Sequence, residues 1–254
     1  MSEALNPIRG AGTPASAWRG SNRLAAVAPI GIDELLPPGA RVAIVAPHPD
    51  DEILGCGGLL ATLARRGAGI SVIAVTDGEA SHPGSSAWSA NRLRRERVWE
   101  SQLALRRLGF SPRQLQWLRL RFADSQVGRD EARLVDRLWQ LLEGYTHVIT
   151  TWHADGHCDH EAVGRATAIA AEAWGCQLYE VPIWAWHWAE PDDPRLPWER
   201  ARKLLLDDDA LARKRSAIQA HRSQLLPDAS TGADPVLTEG TLERFAESRE
   251  IFFL

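Results

Sequence analysis

The sequence is short of the features that mark several classes of protein. It has only three cysteines, Cys56, Cys158 and Cys176, in 254 residues. An odd number at these spacings gives neither a disulfide framework nor a zinc ribbon, so they read as reduced thiols. No stretch approaches the ~20 consecutive apolar residues of a membrane-spanning helix. The opening MSEALNPIRG lacks the apolar centre of a signal peptide. Together these absences lead us to expect a cytoplasmic protein. Net charge is -4, and the many arginines are balanced by acids, so no nucleic-acid footprint is present. Repeats and low-complexity tracts are absent too.

What is present suits a globular fold. Hydrophobic residues make up 44% and charged residues 24%, enough for a real core. Residues 1–40 are rich in Ala, Gly, Pro and Ser and read as an N-terminal arm with one short helix near 31–36. "LPPGA" (36–40) then breaks the chain. From Arg41 onward, apolar runs alternate with helical patterns. Strands are expected at 41–46, 69–78, 115–120, 147–152, 177–186, 201–207 and 249–254. Helices are expected at 52–67, 90–109, 129–144, 159–175 and 208–225. This alternation predicts one α/β domain over 41–254: a Rossmann-like, mostly parallel sheet with helices on both faces. Ligands of such sheets sit beyond the carboxyl ends of the strands.

Two clusters fall at that place. "VAPHPDDEILGCGG" (45–58) sets His48, Asp50, Asp51 and Glu52 at the end of the first expected strand of the domain. Carboxylates this close repel unless a cation or a helix start neutralises them. "HADGHCDH" (153–160) follows the strand at 147–152. Both loops follow parallel strands and should open on one rim. Their imidazole nitrogens and carboxylate oxygens suit zinc, and iron(II) could use the same donors. We expect His48, Asp51 and His160 to be the ligands. Asp50 is then free to act as general base toward a metal-activated water. His157 would donate a proton or stabilise an oxyanion, with Asp159 holding its imidazole in one tautomer. Blander readings exist. The three acids could cap a helix, and the histidines could be surface loop residues. His153, Asp155 and Cys158 are further donors in the second loop, His147 reads as structural, and His82 reads as exposed.

"APHPDDE" resembles the AHPDDE signature of the PIG-L / LmbE-like N-acetylglucosaminyl deacetylase family, and "HCDH" resembles its second motif, HxDH. The resemblance implies a zinc-dependent enzyme of Rossmann-like fold that removes acetyl groups from N-acetylglucosamine-containing molecules. It implies the same ligands, His48, Asp51 and His160, the same base, Asp50, and His157 as oxyanion stabiliser or acid. Weaker echoes run as far as residue 225: Arg97 and Glu100 ahead of Leu108-Gly109, Asp124 near the substrate, and Lys214, His221 and Gln224 on the last long helix. Pro47 before the first His, and the lack of Pro and Gly around Asp124, depart from the pattern.

Arg97, Asp124 and Trp88 are accordingly expected to bind the sugar from the rim. The eleven tryptophans include "WAWHW" (184–188), whose rings would line one strand face, as core more readily than as a sugar platform. "GCGG" (55–58) fails the dinucleotide pattern because position 60 is Leu, so its glycines should let a helix pack close to the sheet. The function expected is deacetylation of an amino sugar in a small-molecule conjugate or lipid-linked precursor, with no nucleic acid, no transmembrane segment and a homo-oligomer left open. The alternatives are an amidase for another N-acyl or thiol conjugate, and a non-catalytic, metal-stabilised sugar-binding protein.

Overall fold

The computed structural model describes residue 8 and residues 10–254; residues 1–7 and 9 of the expected arm lie outside the described residues. Apolar runs become strands: β1 (Ala28–Pro29), β2 (Val42–Ala46), β3 (Ile70–Thr76), β4 (Leu115–Phe122), β5 (His147–Thr151), β6 (Gln177–Val181), β7 (Ala201–Leu205) and β8 (Arg249–Phe253). They form one sheet in the order β1-β7-β8-β6-β5-β2-β3-β4. Every pairing is parallel except those of β8 with β6 and β7. β2 and β3 are buried at every residue, as uninterrupted apolar strands covered on both faces must be.

The helices are α1 (Ala15–Arg19), α2 (Asn22–Ala26), α3 (Ile32–Leu35), α4 (Asp51–Arg65), α5 (Ala90–Leu108), α6 (Glu131–Leu141), α7 (Cys158–Trp174), α8 (Ala185–Trp188), α9 (Asp208–Ile218), α10 (Arg222–Leu225) and α11 (Glu239–Phe245). One face of the sheet is packed by α4, α5 and α9, through Ile53, Leu59, Leu60, Leu105 and Leu108 against Ile44 and Val72. The other is packed by α6 and α7, through Leu134, Leu138, Val163 and Ala166 against Val45 and Ile73. The chain steps from β2 to β3 and β4 in one direction, and from β5 to β6 in the other. The order therefore reverses between β2 and β5, which is where such sheets open a crevice.

Three expectations are corrected. Residues 184–188 are not a strand face: Pro182 ends β6, and the Asp155 carboxylate accepts the N–H groups of Ile183, Trp184 and Ala185, which turns the chain into α8. Trp186 then meets Trp18 edge-on, while Trp184 goes elsewhere. The helix expected at 208–225 is split into α9 and α10, with His221 between them. Residues 15–29 carry two helices and a strand that pairs with β7, and Trp18, Leu24 and Val27 join a third core cluster with Trp152, Leu196 and Phe253.

The glycines behave as expected of a close helix. A Cβ on Gly55 would stand 2.6 Å from Val181 Cγ2. At Cys56 the backbone leaves helical geometry (φ -142°), which frees N–H groups downstream. Glu250 takes them: its carboxylate accepts Gly58 N at 2.7 Å and Leu59 N at 2.8 Å, and pairs with Lys214 Nζ at 2.7 Å. Both side chains of this pair are buried. Glu250→Ala would strand a buried ammonium and two backbone donors, so we expect a loss of about 3–5 kcal/mol in urea unfolding. A change within about 0.5 kcal/mol, the usual surface value, would mean the pair does not hold the kink.

Candidate active site

Two loops at the sheet's reversal deliver the site. The first leaves β2 at Pro47 and enters α4 through Asp50, which sits in the left-handed region at φ 125°. That conformation costs a non-glycine residue roughly 1–3 kcal/mol. Local bonds hold it: Asp51 Oδ2 accepts His48 N at 2.9 Å, and Glu52 Oε2 accepts Asp50 N at 3.1 Å. The second loop leaves β5 and enters α7, where His157 caps the helix by accepting Asp159 N on Nδ1 at 3.2 Å.

Three donor atoms meet between the loops. His48 Nδ1 lies 3.2 Å from His160 Nε2 and 3.3 Å from Asp51 Oδ2. His160 Nε2 lies 3.2 Å from Asp51 Oδ2. A tetrahedral zinc with bonds of roughly 2.0–2.1 Å separates its ligand atoms by about 3.3–3.4 Å. The triangle thus fits one face of such a site. His48 and His157 nitrogens also lie together with His160, and His48, Asp124 and Asp159 form a second group of close donors.

The outward nitrogen of each ring decides its tautomer. His160 Nδ1 faces Asp155 Oδ2 at 2.8 Å, and His48 Nε2 faces Asp159 Oδ2 at 3.2 Å and Asp124 Oδ1 at 3.3 Å. An N–H on that side of each neutral imidazole leaves His48 Nδ1 and His160 Nε2 as lone pairs pointing into the triangle. The acids are themselves fixed by backbone donors. Asp159 accepts Ser125 N and Val127 N, and Asp124 accepts Ala80 N.

Electrostatics follow from this packing. Burial opposes the charged form of His48, but Asp124, Asp159 and Asp51 outweigh it and hold its pKa well above the usual histidine value. The same opposition, settled by Asp51 and Asp155, lifts His160 to about 9. Burial and then the Asp51 charge raise Asp50 well above the carboxylate range. Glu52 is pushed up to about 7, chiefly by burial. Burial, reinforced by His160 and His48, lowers His157 to about 3. A neutral His157 that accepts on Nδ1 carries its proton on Nε2.

The cavity over the triangle has a volume of about 140 Å³. Its lining mixes polar residues (Ser81, Arg97, Asp124, Ser125 and Gln224) with apolar ones (Leu54, Ile183, Trp184, Val236 and Leu237). His48, Asp50, Asp51 and His157 line it as well.

Several expected positions differ. Asp159 does not face His157 with its carboxylate, because that carboxylate is spent on His48 and two loop amides. Asp124 is not a rim group: it is buried and reaches the His48 imidazole. Arg97 is buried too, and donates to Gly78 O and Pro49 O, tying two loops together. A side chain at Gly78 (φ +69°) would run into that guanidinium. Trp88 lies outside the cavity lining, against His82 and under Arg92. Trp184 takes the place over the site instead, stacked on His157 with ring centres 6.5 Å apart. Cys158 Sγ approaches Asp159 Oδ1 at 3.8 Å and is outside the triangle. Two residues were named from the sequence without the parts they play in the folded site. Asp155 was only one donor among several in its loop, and nothing local marks Gln224 as a partner of residues 49 and 50.

The fold and the paired loops define a hydrolase of the N-deacetylase class. The chain belongs to the PIG-L family, described as GlcNAc-PI de-N-acetylase, whose model matches residues 43–171. A search of curated proteins found no match. Among solved structures it is similar to the A40926 pseudoaglycone deacetylase Dbv21, at 25% identity and a TM-score of 0.61 over 84% of this chain and 96% of that one. The zinc-inhibited form of the teicoplanin deacetylase Orf2 shares 19% identity, with a TM-score of 0.63 over 84% and 97%. The N,N'-diacetylchitobiose deacetylase of Pyrococcus horikoshii shares 18%, with a TM-score of 0.58 over 77% and 74%. No helix among the described residues is long and apolar enough to cross a membrane.

Metal analysis tests the triangle directly. We expect one divalent ion per chain, lost in His48→Ala and in His160→Ala. Asp155→Asn keeps all three donors but disturbs the orientation of His160, and should weaken the ion by about 10–100-fold in a chelator competition. Full occupancy in both alanine variants would reject the ligand set, and unchanged affinity in Asp155→Asn would reject the orienting role.

Proposed function

We propose that this protein is a zinc-dependent deacetylase that removes the acetyl group from an N-acetylglucosamine-type sugar in a conjugate or lipid-linked precursor. The observation that carries the reading is the triangle of His48, Asp51 and His160, set in one cavity with Asp50 and His157. A zinc held there would acidify a water and polarise a carbonyl.

The chain's own groups supply the rest. Asp50 takes the proton of the attacking water as the carbon–oxygen bond forms. His157 directs Nε2–H at the amide oxygen as negative charge gathers there. The carbon–nitrogen bond then breaks, and Asp50 returns its proton to the leaving nitrogen. The products are acetate and a free amine. Trp184 keeps the ring of His157 from turning and offers an apolar wall beside the reacting carbonyl. Ser81 and Ser125, which also line the cavity, offer hydroxyl partners for a sugar. Arg97 holds the loops after β2 and β3 in register. The three cysteines are free thiols, which suits a reducing compartment, and we place the protein in the cytoplasm on that ground.

Acetate release from a panel of N-acetylglucosaminyl glycosides and lipids, with and without zinc, tests the reading. Asp50→Asn should keep the metal and lose about 10²–10⁴ in turnover. His157→Ala should also keep it and lose about 10²–10³. Near-normal turnover in Asp50→Asn, where chemistry limits the rate, would remove Asp50 as the base. A sugar-binding protein without catalysis would bind the panel and release no acetate.

A further inference from the structure

We infer that Gln224 is the positioning residue of the base: its side-chain amide sets the orientation of the Asp50 carboxylate. The inference rests on the reading of Asp50 as base and adds a residue to it.

Gln224 arrives from the far end of the sequence on α10, a helix of four residues. It is buried, and its Nε2 donates to the Asp50 carboxylate through Oδ2 and to Pro49 O at 3.1 Å. Both partners are acceptors, so only the NH₂ end of the amide fits there. The two hydrogens of that one group therefore address the backbone and the side chain of adjacent residues. Pro49 O also accepts Arg97 Nη2 at 3.0 Å. Asp50 N is taken by Glu52. The strained turn at Asp50 is thus bonded before, at and after the residue.

The amide is itself held firmly. Ser223, the preceding residue, gives both N and Oγ to the buried Glu100 carboxylate at 2.7 and 2.6 Å, which fastens α10 to α5. Leu237 N donates to the Gln224 carbonyl at 3.0 Å. With Oδ2 engaged by Gln224, the other oxygen of Asp50 is the one to take the proton. Gln224 makes none of the contacts of the ligand triangle. Its removal should therefore misdirect the base and leave the metal donors in place.

The experiment is a double-mutant cycle on the full chain, with Gln224→Met, Asp50→Asn and the pair. Methionine keeps the length and removes the donors; Gln224→Ala serves as the second variant should methionine disturb folding. Gln224→Met should lower kcat by about 10²-fold, as a misplaced group does, with KM within about twofold of the wild type. Zinc per chain and melting temperature should match the wild type. On the Asp50→Asn background the same change should cost less than about twofold, because two residues acting as one unit are not additive. Three results would overturn the inference alone: wild-type turnover in Gln224→Met, a loss confined to KM, or a full multiplicative loss on Asp50→Asn. Loss of zinc in Gln224→Met and Gln224→Ala would do so as well, by making the residue a support of the triangle. High turnover in Asp50→Asn itself would instead overturn the base on which the inference stands.

Discussion

Asp51, Asp124, Asp155 and Asp159 converge on two imidazole rings in a space nearly closed to water, and the rest of the site depends on how that charge is balanced. Each buried carboxylate loses its hydration, and none can stay ionised without a donor or a positive charge beside it. The balance is divided between the two sides of each ring. Outward nitrogens meet Asp155, or Asp124 and Asp159, and inward nitrogens meet Asp51. Where no cation shares the triangle, the rings must protonate to satisfy both sides, and this is the sense in which His48 and His160 are raised. A divalent ion in the triangle replaces those protons. It also lets the outward N–H groups remain where the carboxylates hold them. The donor chemistry therefore favours an ion over the capped-helix reading of the three adjacent acids.

The fold serves this balance through its reversal point. β2 and β5 are adjacent and parallel, with Val45 opposite Thr150, so the loops that follow them start side by side. Neither loop alone carries three suitable donors at tetrahedral spacing. The first contributes His48 and Asp51 across the start of α4, and the second contributes His160 from the first turn of α7. Rigid supports stand behind both. Gly55 lets α4 lie close to β6, and Glu250 secures the helix where it breaks at Cys56. Asp155 fixes His160 and the start of α8 with one carboxylate, which places Trp184 over His157. An acid that looked like a spare donor thus joins the donor triangle to the wall of the cavity.

The alternation of strands and helices was legible because it lies in local periodicity, and the two clusters because they lie in contiguous residues. Elements that answer to distant partners were not. Alternating Trp in 184–188 has the period of a strand, yet the three amides held by Asp155 make it helical. Residues 15–29 have a loop-like composition, but Trp18 and Leu24 find a core beside β7 and β8 that only the folded sheet provides. Arg97 and Asp124 were read as rim groups because the family resemblance puts such residues near the substrate and their donors and acceptors suit sugar hydroxyls. Their burial follows from partners contributed by other loops: Gly78 and Pro49 for one, His48 and Ala80 for the other. Gln224 stands 174 residues from Asp50, and no spacing rule links them.

The mixed lining of the cavity bears on how an N-acyl sugar, the proposed substrate, would lie. On the proposed reading, the carbonyl would approach the triangle and the nitrogen would stay within reach of Asp50. That leaves the sugar and the acyl group on opposite sides of the amide. Hydroxyls of such a sugar would be better met by Ser81 and Ser125, since a hydroxyl against Ile183 or Leu237 would lose its water partners without replacement. The acyl methyl is better met by Leu54, Ile183 and Trp184, which lose nothing by its approach. A space of about 140 Å³ is smaller than the usual pocket of a drug-sized ligand, roughly 300–1,000 Å³. On the proposed reading it would accommodate the amide and part of one sugar ring, and the rest of a conjugate would extend past lining residues such as Ser81 and Val236. If the proposed reading holds, the chemistry would lie at the triangle, and selection among conjugates would fall to the loops around the cavity.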